Sequence, residues 1–233
     1  MYDIPLTETS KLSFRLESLF KDCHHYLESN DEEMAITHFL QILYFLDRTD
    51  FKSKLIQAFI NYTPQIKEEG IKKALDESVN YLQSFTKKLN HFFESNDFLN
   101  ALKSQQIKMN MLFHLDLPLY AYWLQKKPAE KKGEIEAWLS LLAPTEKIIT
   151  LLNQCMRSAV TFSETLEASS GYYEYVMSGE YSFANIKIES PTAVYPEVST
   201  SKNRLYLYFY TPRSAERPIQ YKEAVTFTLS LYR

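Results

Sequence analysis

The chain reads as an α+β protein, with an N-terminal all-helical domain over residues 1–163 and a small, sandwich-like antiparallel β-domain over 164–233. Three observations predict this. Apolar residues recur at three- and four-residue spacing through the first two thirds of the chain, the period of amphipathic helices. Beyond Ser163 the period falls to two, with apolar and polar residues alternating as half-buried strands require. Gly179, Pro191, Pro196, Pro212 and Pro218 then punctuate that second part at turn-like intervals. A run of helices followed by a run of strands is the α+β pattern.

The first helix carries Leu12, Leu16, Leu19, Phe20, Cys23 and Leu27 along one face. Asn30-Asp31-Glu32-Glu33 then reads as a capping box, with Asn30 accepting from a free amide and Glu33 reaching back. The helix it opens buries Ile36, Phe39, Leu40, Leu43 and Leu46. Asp50 is placed to cap a third helix with Phe51, Leu55, Phe59 and Tyr62 inward, and Pro64 is expected to end or bend it. After Gly70, Leu75, Val79, Leu82, Thr86, Leu89 and Phe93 form a heptad-like seam, spoiled at Thr86. The seam suits either an antiparallel helical hairpin or a second copy of the chain, and the sequence leaves both open. Shorter helices are expected at Phe98–Ser104, at Leu117–Gln125 after Asp116, and at Gly133–Leu142. Pro118 is tolerated in a first turn, and Pro144 opens a last helix with Ile148, Leu151, Leu152 and Cys155 inward.

About four or five strands follow. Gly171 to Val176, Ala184 to Glu189, Leu205 to Tyr210 and Val225 to Leu231 carry the clearest patterns. In the third, Leu205, Leu207 and Phe209 face one way while Tyr206, Tyr208 and Tyr210 face the other. Whether residues 1–9 pack as a strand against the β-domain is left open by the sequence.

Composition bounds the function. The 233 residues are 45% hydrophobic with a formal charge of −3, enough for packed cores and no support for a general nucleic-acid binder. No apolar run reaches the length of a membrane span, and the polar, acidic stretch Met1 to Ser10 is not expected to act as an export signal. Two cysteines, Cys23 and Cys155, without framework spacing fit a reducing cytosol. With four glycines and neither G-x-G-x-x-G nor a P-loop, a nucleotide cofactor is not expected.

Catalytic signals are equally thin. In Cys23-His24-His25 successive residues diverge by about 100° on a helix, so the three cannot converge on one ion. Both thiols sit at apolar positions, where cysteine acts as a small hydrophobe. The pairs Lys72-Lys73, Lys87-Lys88, Lys126-Lys127 and Lys131-Lys132 read as solvated faces beside acids. Neither an enzyme nor a cofactor is expected.

One segment stands apart. From Ser199 to Lys222 there are five cations, Lys202, Arg204, Arg213, Arg217 and Lys222, against the single acid Glu216. If 202–204 is extended, Lys202 and Arg204 leave the same face and can grip neighbouring carboxylates, with tyrosines covering apolar parts of a peptide. Solubility at a hairpin end is the simpler reading, and a nucleic-acid-binding adaptor stacking bases on the tyrosines is an alternative.

The residues also carry a resemblance. Pro5-Leu6, Arg15, Asp47-Arg48-Thr49-Asp50-Phe51-Lys52, Leu115-Asp116-Leu117-Pro118, Trp123-Leu124 and Trp138-Leu139-Ser140-Leu141 occur in order. Gly171-Tyr172-Tyr173 and Tyr195-Pro196-Glu197-Val198-Ser199-x-x-Lys202-x-Arg204 follow. Together they resemble ZapD, the bacterial Z-ring-associated family that binds the tubulin-like division protein FtsZ. The resemblance implies a cytoplasmic, non-enzymatic homodimer at mid-cell, without nucleic acid or membrane span. It would capture the FtsZ C-terminal tail and cross-link filaments into bundles. It assigns tail binding to Arg15, Lys202 and Arg204, with Arg48 and Lys52 as further basic positions. Asp97, Ala121 and Tyr208 stand where relatives can carry Arg, His and Arg, which implies a less positive pocket here. Ile107 to His114 lacks the small, glycine-containing turn common in relatives.

Overall fold

Thr7 and Ser10 open the first helix by reciprocal capping: Ser10 N–H donates to Thr7 Oγ1 at 3.1 Å and Thr7 N–H to Ser10 Oγ at 3.2 Å. The computed structural model describes residues 1–62, 69–102, 118–189, 193–201, 203–212 and 217–233. It is α+β, with helices first and antiparallel sheets after them. The chain divides into two compact units, one of Leu12–Asn153 and one joining Met1–Lys11 to Gln154–Arg233.

The helical unit draws on α1 (Glu8–Glu28), α2 (Glu32–Leu46), α3 (Phe51–Tyr62), α4 (Glu69–Glu94), a helical stretch at 97–102, α5 (Pro118–Leu124) and α6 (Pro128–Ser158). Every apolar residue expected to line α1, α2 and α3 is buried. The cap between α1 and α2 differs from expectation. Asp31, not Asn30, accepts from Met34 N–H, at 3.0 Å. Asn30 instead takes the left-handed conformation, with φ 57°, and ends α1. Its N–H meets Leu27 O while that of Asp31 meets Tyr26 O, the paired closure of a Schellman turn.

The α4 seam is also shifted. Leu75, Ser78, Leu82, Phe85, Leu89 and Phe92 are buried, whereas Thr86 is exposed and Val79 only half-buried. Steps of three and then four from Leu75 place Phe85 inward in place of Thr86, and the hydroxyl of buried Ser78 donates to Ala74 O at 2.7 Å. The seam packs within the chain, where Phe85 meets Phe51 of α3 with ring centroids 5.3 Å apart. The two helices expected around Pro144 are one, α6, with the proline inside. Pro144 lacks the N–H that the Ser140 carbonyl would accept, but both residues are exposed, so water can serve that carbonyl. Lys131, expected on a solvated face, is buried and lies over the Trp123 ring at 5.6 Å. Pro64, Asp116 and Ile107 to His114 lie outside the described residues.

Among the described residues eight strands, rather than four or five, build two sheets in the other unit. Sheet A orders β1 (Tyr2–Pro5), β4 (Phe183–Ile188), β8 (Val225–Tyr232) and β2 (Val160–Ala168). Sheet B orders β3 (Tyr172–Val176), β6 (Arg204–Thr211) and β5 (Tyr195–Ser201), with β7 (Ile219–Gln220) also on β6. All pairings are antiparallel. The sheets share a core of alternating residues, among them Ile186, Leu205, Leu207, Val225 and Leu229. Phe227 sits at its centre, 5.1 Å from the Phe209 ring and 5.5 Å from that of Tyr173. Residues 2–5 pair with 186–183, and β2 begins three residues before the Ser163 transition. Among the described residues no helix is long and apolar enough to cross a membrane.

Candidate binding surfaces

Gly171 sets the outward face of sheet B. Its φ is +64°, and a Cβ there would stand 2.1 Å from the Tyr221 carbonyl oxygen, so only glycine fits this approach. From Gly171 the chain enters β3, which pairs Tyr172 with Tyr208, Glu174 with Tyr206 and Val176 with Arg204. On the other side of β6, Tyr195 pairs with Tyr210, Glu197 with Tyr208 and Ser199 with Tyr206. The alternate residues of β6 and β3 enter the core, so Tyr172, Tyr206, Tyr208, Tyr210 and Tyr195 share the opposite face. Tyr172 and Tyr208 lie 5.2 Å apart, and Tyr195 and Tyr210 stack at 6.0 Å.

Arg204 stands at one end of this tyrosine ladder, its side chain 53% exposed. It does not stand alone: its NH1 donates to Glu174 Oε1, and Tyr172 O–H donates to Glu174 Oε2 at 3.2 Å. The carboxylate raises the Arg204 pKa further. Partial desolvation, then the Glu174 hydrogen bond, push the Tyr172 phenol up. Asn203 lies in a turn rather than in a strand. Ser201 pairs with Arg204, and the Asn203 carbonyl accepts from Met177 N–H at 2.8 Å. Lys202 itself, like Arg213, lies outside the described residues.

The remaining cations belong to the helical unit. Arg15 is exposed on α1 and, among the described residues, meets a neutral amide, Gln41 Oε1 at 3.4 Å. Arg48 forks onto Asp50, Nε to Oδ1 at 3.1 Å and NH2 to Oδ2 at 3.0 Å, and Lys54 reaches the same carboxylate at 2.6 Å. Arg48, then Lys54, hold the Asp50 carboxyl well below the usual carboxylate range. The Asp50 side chain is therefore engaged by cations, while its carbonyl accepts from Lys54 N–H. Lys52 is half-buried beside Arg48, and both line a cavity of about 350 Å3 floored by Phe51, Phe85 and Leu89.

Arg48 and Lys52 thus border one cavity, with Arg15 on another helix of that unit and Arg204 in the β unit. Two acids on the tyrosine face, Glu174 and Glu197, are additions that the strand pattern alone did not supply. The signal was present in Gly171-Tyr172-Tyr173-Glu174, but only strand register brings it beside Arg204. Asp97 is exposed at the start of the 97–102 stretch, Ala121 half-buried on α5, and Tyr208 within the ladder. Elsewhere, Cys23 turns inward, its S–H donating to Ala35 O at 3.3 Å, while His24 Nε2 lies 3.2 Å from Glu146 Oε1. No group of three His, Cys, Asp or Glu comes together among the described residues.

Known proteins resemble this chain over nearly its whole length. Cell division protein ZapD of Azoarcus sp. (strain BH72) is 28% identical over 246 aligned positions, covering 98% of this chain and 97% of that relative. ZapD of Aromatoleum aromaticum is 26% identical, covering 97% and 96%. ZapD of Coxiella burnetii is 25% identical, covering 100% and 97%. The ZapD family model, described as a cell division protein, matches residues 14–207, and the chain belongs to that family.

Proposed function

We propose that this chain is a non-catalytic filament cross-linker that binds the C-terminal tail of FtsZ and, as a homodimer, bundles FtsZ filaments at the division site in the cytoplasm. The observation that carries the reading is Arg204 at the exposed end of the five-tyrosine ladder. An extended acidic peptide can place a carboxylate on the guanidinium and its apolar side chains on the rings. Arg15, Lys202, Arg48 and Lys52 are the further tail-binding candidates. Arg15 has no carboxylate partner among the described residues, and Lys52 faces a cavity with an apolar floor.

Each contact of this kind is weak. Bundling then comes from valency, because a dimer meeting many tails on one polymer converts its second contact into an intramolecular event. Millimolar effective concentrations raise avidity by about 10²–10⁴. The nucleic-acid alternative is disfavoured by the same face. Among the described outward positions of β3, β5 and β6, Arg204 is the one cation, with Glu174 beside it and Glu197 further along the same face. The test is pelleting of FtsZ with and without its C-terminal tail in the presence of this protein. Bundles should form with the intact polymer and fail with the tailless one; equal pelleting of both would refute the tail as the target.

A further inference from the structure

We infer that Glu174 is an internal substitute for the partner's carboxylate: it occupies Arg204 in the free protein and is displaced when an acidic peptide docks on the tyrosine ladder. The inference rests on the tail-binding reading above and adds the residue that sets the strength of that site.

Register places the two groups where this exchange can occur. Arg204 lies opposite Val176, and Glu174 lies opposite the next outward residue of β6, Tyr206, so the pair is diagonal across β3 and β6. Both carboxylate oxygens are engaged, one by Arg204 and one by Tyr172 O–H. The Arg204 side chain is 53% exposed and that of Glu174 30%, so a ligand reaches the pair directly from solvent. An ion pair this open contributes little net stability, since both charges are hydrated once separated. Exchange of Glu174 for an incoming carboxylate is then close to balanced, and apolar contact with the tyrosines tips it toward the complex. Tyr172 O–H has the geometry to keep the released Glu174 on the sheet through its second oxygen.

The experiment is titration of the full-length chain with a synthetic FtsZ C-terminal tail peptide, using the wild type, Glu174→Gln, Glu197→Gln, Arg204→Ala and the Glu174→Gln/Arg204→Ala pair. Glutamine retains the acceptor for Tyr172 and removes the charge. Glu174→Gln should tighten binding about two- to five-fold, and the gain should vanish on the Arg204→Ala background. Glu197→Gln removes the same charge from the same face without freeing Arg204 and should change affinity less. If the wild type binds the peptide but Glu174→Gln gives no gain, or Glu197→Gln gives an equal one, the inference is wrong and the tail-binding reading stands. If the wild type does not bind the peptide, that reading falls and the inference with it.

Discussion

The rings of Phe51 and Phe85 meet at 5.3 Å and 52°, joining α3 to α4 at the wall of the cavity that Arg48 and Lys52 border. Phe85→Ala should therefore destabilise the helical unit by about 3–5 kcal/mol, the usual range for a buried phenylalanine. Thr86→Ala, one position along but exposed, should stay within about 0.5 kcal/mol. Urea unfolding of the two variants separates the observed seam from the one through Thr86, which would reverse their order.

Gly171→Ala should be far more harmful than its single methyl group suggests. The left-handed backbone alone costs an alanine about 1–2 kcal/mol, and the added carbon would meet the Tyr221 carbonyl oxygen. A loss exceeding that range in denaturant unfolding is expected, with tail binding weakened because β3 carries Tyr172 of the ladder. Wild-type stability in this variant would show that the turn relaxes freely.

Burial, and then the Glu146 carboxylate, push the Cys23 thiol up to about 12 from an ordinary value of 9.0. The unfolded chain therefore ionises this thiol first. The contribution is complete below pH 9 and declines as pH rises from 9 toward 12, by roughly 1 kcal/mol at pH 10. Urea midpoints at pH 8 and pH 10 should fall more for the wild type than for Cys23→Ala. At pH 8 the native thiol should resist a disulfide reagent that labels the unfolded chain; rapid native labelling would contradict its burial.

Replacing Lys202 and Arg204 together with alanine should abolish co-sedimentation with FtsZ while leaving the unfolding midpoint near that of the wild type. Tail affinity of the wild type should drop as salt is raised, because the contact is charged and exposed. Retained co-sedimentation, or affinity indifferent to salt, would point to a different surface.

The amphipathic helices were legible because burial follows local spacing: the stripes of α1, α2 and α3 could be read from their own residues. Where two neighbours both fit the spacing, as Phe85 and Thr86 do, only the packed partner decides. β2 escaped notice because it is an edge strand with most positions exposed, so Val160 to Ala168 lacks a strong alternating signal. Pro144 misled because a proline on the exposed side of a helix can leave its orphaned carbonyl to water. The cations were visible as residue types, but their electrostatic condition was not. Arg204 is separated from Glu174 by 30 positions, and their meeting depends on the pairing of β3 with β6.

Strand β1 has a consequence for synthesis. Residues 2–5 leave the ribosome long before residues 183–186, their hydrogen-bonding partners. At about 5–20 residues per second the wait lasts roughly 10–35 s, with closure of a very long loop at its end. Sheet A is thus completed late, after the helices have had time to form. A mutation weakening that last pairing would leave the chain longer with an unpaired edge during synthesis and lower the yield of native protein on expression.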